Sequence, residues 1–157
     1  MDAQSEKLLA YLLRNTRIAA LGTIRDGAPR LSMVAFVTVE NLSSFYIHVS
    51  RLAQNAMDML KDKHVSLLVT ETDDARPDPQ TLVNVSIRGY AEEMQVGEPG
   101  YTPVKNLYIQ RFPDSEHLFK PNEFCLWRIT PKGGRFVAGM TKSYNITPET
   151  LYKVSQR

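Results

Sequence analysis

The sequence predicts a mainly β, α+β protein in which antiparallel strands form a small barrel and a few helices pack against it. Three observations support this prediction. Short apolar runs recur along the chain and are joined by hairpin-type turns, whereas helical patterns are few. Strands joined in succession by tight turns pair antiparallel. The length of 157 residues, with 43% apolar and 23% charged residues, is that of one ordinary globular unit, so we expect a single domain over 1–157.

The chain is predicted to begin with an amphipathic helix followed by a β-hairpin. Leucines recur at helical spacing after Asp2 or Ser5, either of which can cap the helix. Apolar runs over 17–24 and 29–39 flank the Asp-Gly dipeptide at 26–27, which is well suited to a tight hairpin turn. We therefore expect two paired strands here.

A strand–helix–strand unit is predicted next. The apolar run 45–49 is followed by Ser50 and Arg51, then by a helical pattern that starts at Leu52, and then by the apolar run 65–69. Ser50 is a candidate N-cap, and Arg51 would lie at the positive end of the helix dipole. Such a position can hold a phosphate, although most serine-capped helices bind no ligand and a first-turn arginine is usually a solvated charge.

The second half of the chain is predicted to add strands and two helices. The proline-rich and acidic stretch 71–80 is expected to be an exposed loop. Gly89 is expected to mark a bulge, and the Pro-Lys-Gly-Gly sequence at 131–134 is expected to turn a hairpin. The predicted strands cover 81–94, 124–130 and 135–138, and the predicted helices cover 104–112 and begin again at Thr147.

Composition excludes several classes of function. The net charge of +2 is small and the basic residues are dispersed, so binding to nucleic acid or to a membrane surface is not expected. The lone Cys125 excludes an internal disulfide and is expected to be an inert buried thiol. The first residues show neither a signal peptide nor a long apolar segment, so we expect a cytoplasmic protein.

Common catalytic motifs are missing from the sequence. The three histidines lie far apart, and no histidine or cysteine spacing is typical of a metal site. Neither a serine-hydrolase elbow nor a glycine-rich nucleotide loop is present. What remains is a set of polar residues near predicted strand ends: Arg30, Ser32, His48, Ser50, Arg51, Asn84 and Ser86. Each can be an ordinary surface or packed residue, but together they would suit a ligand with a phosphate and a flat hydrogen-bonding ring.

Several segments resemble the flavin-binding split barrels related to pyridoxamine 5'-phosphate oxidase, in particular the branch of the haem-utilisation proteins. The segments are LSMVAF, IHVSRLAQNA, KHVSLLV, LVNVSIRGYAEEM and LWRITPKGGRFVAG, and the resemblance covers about 18–144. The Ser-Arg-Leu-Ala step before a helix is its most specific part. The resemblance implies an antiparallel split β-barrel with flavin mononucleotide (FMN) bound at the interface of a homodimer.

The resemblance also implies which residues contact the cofactor. Ser50 and Arg51 match the phosphate-binding positions, with Asn55 assisting one turn later. The remaining matches contact or border the flavin ring or lie near the C-terminus: Arg30, Leu31, Ser32, Met33, Val34, His48, Val49, Asn84 and Lys142.

Two departures from the vitamin B6 oxidases bear on the substrate. Leu52 stands where those enzymes place a second basic residue, and GMTKSYN replaces their basic segment for the substrate phosphate. We therefore expect an FMN-dependent oxidoreductase whose substrate is not pyridoxamine phosphate. Two alternatives stay open: a haem- or flavin-binding protein without turnover, and an interaction module with an empty barrel.

Overall fold

The computed structural model describes residues 1–120 and 122–157. The helices are α1 (Ala3–Asn15), α2 (Gln54–Lys61), α3 (Tyr101–Arg111) and α4 (Pro148–Ser155). The strands are β1 (Ile18–Arg25), β2 (Ala28–Ala35), β3 (Val37–Thr38), β4 (Phe45–Ser50), β5 (His64–Thr70), β6 (Asn84–Met94), β7 (Phe124–Val137) and β8 (Ser143–Ile146). Short 3₁₀ turns occupy Pro79–Thr81 and Pro113–Leu118.

The strands form one antiparallel sheet with the order β2-β1-β5-β6-β7-β4-β3, and β8 pairs with β7. The sheet curves so that β2 contacts β4. Both of these strands are fully described, and they touch without pairing. This opening is the split of the barrel, so the predicted fold class, an antiparallel split β-barrel with a few packed helices, is confirmed.

Local sequence signals account for several elements. Asp2 caps α1 by accepting a hydrogen bond from the Ser5 amide at 2.9 Å. Asp26 and Gly27 both have positive φ, as a tight hairpin turn of this kind requires. The strand register shifts between Arg88 and Gly89, which confirms the predicted bulge.

Two turn predictions are wrong. Ser50 is not the N-cap of α2: it is the last residue of β4, paired with Phe124, and α2 begins at Gln54 after Ala53. The Pro-Lys-Gly-Gly sequence at 131–134 does not turn a hairpin, because β7 runs through it without interruption. A Cβ on Gly134 would lie 2.1 Å from the Ser86 carbonyl oxygen. This glycine therefore allows β6 to pack closely against β7 and does not reverse the direction of the chain.

Other boundaries also shift. The predicted strand 29–39 breaks at Phe36 into β2 and β3, and the predicted strand 81–94 begins only at Asn84 because a 3₁₀ turn precedes it. Strand β8 was not predicted. Within the described residues, no helix is long and apolar enough to cross a membrane.

The buried side chains form two clusters. The larger one fills the barrel between the sheet and helices α1 and α4, and includes Leu21, Leu67, Ile87 and Phe136. The smaller one lies beneath α3 on the other side of β4 and β7: Val37, Tyr46, Met94, Val104, Tyr108 and Leu126. Strand β4 therefore has apolar neighbours on both faces, which fixes the position of the turn that follows it.

Candidate functional site

The candidate site lies at the split of the barrel, where the terminal strand β2 approaches the end of β4. Strand β2 pairs only with β1, so its other edge carries backbone amides and carbonyls without a strand partner among the described residues. The predicted segments 30–34 and 48–50 lie on β2 and β4, which contact each other here, and Arg51 directly follows β4. Most of the predicted site residues therefore lie on or next to the two strands that border the split.

Asn55 connects α2 to β2. Its Nδ2 donates a hydrogen bond of 3.1 Å to the Ser32 hydroxyl. The buried Oδ1 of the same amide has no hydrogen-bond partner among the described residues. Rotating the amide would exchange the two atoms and still leave one of them unpaired, which costs about 1–3 kcal/mol unless another group satisfies it. One polar atom of the Asn55 amide, beside the edge of β2, is therefore available to bind a ligand.

The turn between β4 and α2 is held by backbone contacts. Ser50 accepts two hydrogen bonds: its hydroxyl accepts from the Leu52 amide at 3.2 Å and its carbonyl from the Ala53 amide at 3.1 Å. The Arg51 amide donates to the Glu123 carbonyl at 3.0 Å. The N-cap residue of α2 is Ala53, whose methyl side chain cannot accept a hydrogen bond. The first amides of this helix therefore have no side-chain acceptor among the described residues. The positive end of α2 is therefore uncapped next to Arg51.

Arg51 forms an ion pair with Glu93, with 3.0 Å between Nη1 and Oε1. The Arg51 side chain is 44% exposed and that of Glu93 is 16% exposed. This contact was missed at the sequence level. The sequence does contain a signal for it. The alternation of Val85 and Ile87, continued along β6, places Glu93 on the core-facing side of the strand. A carboxylate on that side requires a polar or charged partner.

Cys125 lies beneath this ion pair and is buried. Burial, and then the neighbouring Glu93, raise the pKa of the Cys125 thiol to about 12. The thiol stays protonated at neutral pH, so it is a poor nucleophile. The prediction that the thiol is buried is confirmed.

His48 is a packed histidine. Its ring stacks on Phe119 with 3.7 Å between centroids and 6° between planes, and it also contacts Tyr108 and Phe124. Burial, with a smaller effect of the positive Lys105, lowers the pKa of His48 to about 4, so the imidazole is neutral at pH 7. In residues 1–120 and 122–157, no three histidine, cysteine or acidic side chains are placed to hold a metal ion.

Two predicted residues lie elsewhere. Asn84 pairs with Val137 at one end of β7, whereas Ser50 pairs with Phe124 at the other end. At about 3.3 Å per residue these ends are roughly 40 Å apart along the strand. Lys142 follows β7 and forms an ion pair of 3.2 Å with Asp2. A single chain therefore does not bring Asn84 and Lys142 to the split.

The outward face of β2, β1 and β5 exposes large apolar side chains: Ile18, Leu31, Met33 and Leu68. Leu31 and Met33 are 81% and 72% exposed. Contiguous exposed apolar residues on a globular domain mark an interaction surface. This surface adjoins the predicted ring-contacting strand, because both use β2.

The fold resembles solved structures that bind haem or flavin. A haem-binding protein from Mycobacterium smegmatis has a TM-score of 0.84 at 18% identity, over 98% of this chain and 62% of that one. The haem storage protein HutZ from Vibrio cholerae has a TM-score of 0.72 at 17% identity, over 80% of this chain and 88% of that one. An FAD-binding protein from Mesorhizobium loti has a TM-score of 0.62 at 15% identity, over 84% and 91%. At these identities the likeness establishes the fold alone.

The chain spans less than two thirds of the mycobacterial protein. No curated protein matches it significantly. The family model described as pyridoxamine 5'-phosphate oxidase matches residues 5–138, which include the split, α2 and all of β7. The chain therefore belongs to the pyridoxamine 5'-phosphate oxidase family.

Proposed function

We propose that the protein is an FMN-binding oxidoreductase, with the cofactor at the split between β2 and β4. The observation that carries the proposal is the Ser32–Asn55 hydrogen bond. It joins the unpaired edge of β2 to the uncapped start of α2 and leaves one polar atom of the Asn55 amide unsatisfied. A ligand with a hydrogen-bonding ring and a phosphate would use both features.

The turn after β4 suits the phosphate. Arg51 uses Nη1 for Glu93, so the remaining donors of its guanidinium are available to a phosphate. The uncapped amides of α2 add the positive end of the helix dipole, and Asn55 can turn its Nδ2 towards an anion. Leu52 contributes no charge, so Arg51 and the backbone supply most of the attraction.

The edge of β2 suits the ring. Its free backbone donors and acceptors match the hydrogen-bonding edge of an isoalloxazine, and Leu31 to Val34 would provide the contacts. Arg30 lies at the start of this segment, and Val49 packs against the core below it. The residues of this chain would therefore bind, orient and shield the ring.

Bound FMN supplies electron or hydride transfer. The protein would then need no nucleophile of its own, in keeping with a protonated Cys125 thiol and a packed His48. The neutral Leu52 and the segment 139–145 differ from the basic positions of the vitamin B6 oxidases, which argues against pyridoxamine phosphate.

A homodimer would complete the site. The exposed apolar face on β2, β1 and β5 supplies the contact surface, and two-fold symmetry would carry a distant part of one chain to the split of the other. Asn84 and Lys142 lie far from Arg51 in one chain, so their assigned roles require a second copy. We include the homodimer in the proposal for this reason.

Haem binding without turnover is the second candidate. It is favoured by the similarity in fold to the haem-binding protein of Mycobacterium smegmatis and to HutZ. The two candidates differ in the cofactor that the purified protein retains.

Visible spectroscopy tests the proposal. Purified protein is mixed with FMN, freed of unbound cofactor by gel filtration, and then treated with a reduced nicotinamide cofactor. We expect a retained yellow chromophore that bleaches on reduction. Haem is offered in a parallel sample, and a Soret band without any flavin uptake would replace the first candidate with the second. Retention of neither chromophore would contradict both.

A further inference from the structure

Helix α2 carries a buried carboxylate, Asp58, whose side chain is 2% exposed. One carboxylate oxygen accepts a hydrogen bond of 2.8 Å from the hydroxyl of Thr23, which is also buried. The other oxygen accepts a hydrogen bond of 2.6 Å from Nε of Arg25. A carboxylate that is removed from water requires such partners. These two contacts of Asp58 form a clamp between α2 and β1.

The alternation of β1 explains why both partners face α2. Ala19 and Leu21 belong to the core of the barrel. Thr23 and Arg25 continue the same face of the strand to its end, because alternate residues of a strand share one face. Helix α2 packs against β1 and supplies the acceptor that these two polar side chains need.

Asn55 and Asp58 attach α2 to the two strands of one hairpin. They are three residues apart in the helix, so they are neighbours on its surface. Asn55 donates to Ser32 on β2, whereas Asp58 is held by β1. Ser32 pairs with Leu21, which is two residues from Thr23. A helix held at two points cannot turn about either of them, so the position of α2 relative to β2 is fixed.

The position of α2 bears directly on the proposed flavin site. In that proposal the start of α2 and Arg51 bind the phosphate, and the edge of β2 binds the ring. A helix of eight residues is too short to be stable by itself, so its place is set by its contacts with the rest of the protein. A binding site has to hold its donors within about 0.5 Å of their required positions. The contacts of α2 with the hairpin therefore control how well both ends of one cofactor are bound.

We propose that Asp58 is a positioning residue for the flavin phosphate. By holding α2 against β1, it keeps the start of the helix and Arg51 at the distance from β2 that one FMN molecule spans. Asp58 does not touch the cofactor in this proposal, but it determines how much the phosphate adds to binding. The inference rests on the proposed function and extends it to the preference for FMN over riboflavin.

The charge of Asp58 alone would have the opposite effect on FMN. A carboxylate in α2 repels a phosphate at the start of the same helix. If Asp58 acted only through its charge, Asp58→Asn would bind FMN more tightly. If Asp58 positions the helix, the same variant binds FMN more weakly, because an amide has one acceptor oxygen in place of two and cannot keep both contacts of the clamp. The sign of the change therefore separates the two explanations.

Parallel titrations with FMN and riboflavin test the proposal. The two flavins share the ring and differ by the phosphate, and quenching of their fluorescence measures both affinities. We expect wild type to bind FMN more tightly than riboflavin. In Asp58→Asn we expect the affinity for FMN to fall at least about fivefold and the affinity for riboflavin to change less than about twofold. A general loss of structure would weaken both flavins equally, so the ratio of the two affinities isolates the phosphate.

Thr23→Val and Thr23→Ser form a matched pair that leaves every charge in place. Valine keeps the shape of threonine and removes the hydroxyl that donates to Asp58, whereas serine keeps the hydroxyl. We expect the preference for FMN to fall in Thr23→Val and to stay close to that of wild type in Thr23→Ser. Circular dichroism checks that both variants are folded.

Two kinds of failure are distinguishable. An unchanged or increased preference for FMN in a folded Asp58→Asn protein would overturn the positioning role and leave the flavin site in place, and so would equal losses for the two flavins. A wild-type protein that binds neither flavin, or binds both equally, would contradict the proposed phosphate site itself and the positioning role with it.

Discussion

Two regions of the molecule are arranged to attract anions, and they differ in how their cations are held. At the turn after β4, Arg51 is paired with Glu93 and acts together with the uncapped amides of α2 and the Asn55 amide. In a groove on the outward face of the sheet that is lined by Arg30, Arg88 and Lys132, these cations have no ion-pair partner among the described residues. In the proposed function, the directed donors of the turn hold the phosphate, whereas the cations of the groove are not arranged around one position.

The comparison shows that the number of cations in a region does not predict whether the region binds phosphate. Directed amide donors in a fixed turn specify the position of an anion, whereas free cations on a sheet raise its local concentration. The attraction of anions to the groove should therefore weaken more with salt, because exposed charges are screened within about 10 Å at 0.1 M.

Arg51→Ala is expected to have the largest effect on cofactor binding. A charge-assisted contact contributes roughly 1.5–3 kcal/mol, so the affinity for FMN should fall at least about 10-fold. Arg51→Lys keeps the charge but loses the planar fork of donors, and we expect an intermediate affinity. Fluorescence quenching of FMN measures both variants.

Arg135→Ala serves as the control for that series and should bind FMN as wild type does. An Arg51→Ala protein that holds FMN as tightly as wild type would refute the phosphate assignment.

Glu93→Gln is expected to increase the affinity for FMN by about twofold to fivefold. The glutamine can still accept a hydrogen bond from Arg51, while the negative charge near the phosphate is removed. A partly exposed ion pair of this kind is worth about 1 kcal/mol or less, which limits the size of the effect. The same titration measures it, and a weaker complex would show that the carboxylate positions Arg51 instead of competing for it.

Asn55→Ala is expected to reduce the affinity for FMN by about fivefold, since a neutral hydrogen bond contributes about 1 kcal/mol. The variant also removes the contact with Ser32. Ser32→Ala separates the two roles, because it removes only the hydroxyl that accepts from Asn55. If Ser32→Ala weakens binding as much as Asn55→Ala does, Asn55 acts by holding β2 rather than by contacting the cofactor.

His48→Phe is expected to have the smallest effect on FMN affinity at pH 7. It is expected to change how the stability of the protein depends on pH. The pKa of His48 is about 4 in the folded protein and its ordinary value is 6.5. The unfolded chain therefore takes up the proton first, so stability is fully present above pH 6.5 and is lost as the pH falls towards 4. We expect the urea midpoint to fall less between pH 7 and pH 5 in His48→Phe than in the wild type. An equal fall of the urea midpoint in the two proteins would contradict the conclusion that burial lowers the pKa of His48.

Much of the fold follows from local sequence signals. Asp2 caps α1, and Asp26 and Gly27 take the positive φ values of their hairpin, because these features depend on residues close in the chain. The glycines at 133 and 134 do not form the predicted turn, because their function depends on pairing with residues of β6 that lie more than forty positions earlier. A glycine pair has the same local preference whether the chain turns or meets another strand closely.

The site could be predicted only in part for a similar reason. Sequence signals and family resemblance named Ser32 and Asn55, and the structure joins them. They missed Glu93, whose contact with Arg51 arises from the pairing of distant strands. The roles of Asn84 and Lys142 stay predictions, since both depend on the arrangement of a second copy.

Titration of two variants with FMN tests the central claim most directly. FMN is titrated into wild type, Arg51→Ala and Arg88→Gln/Lys132→Gln. We predict that Arg51→Ala weakens FMN binding at least about 10-fold, and that the double variant weakens it far less. Loss of FMN binding in the double variant, together with wild-type binding in Arg51→Ala, would place the phosphate in the groove and contradict the account.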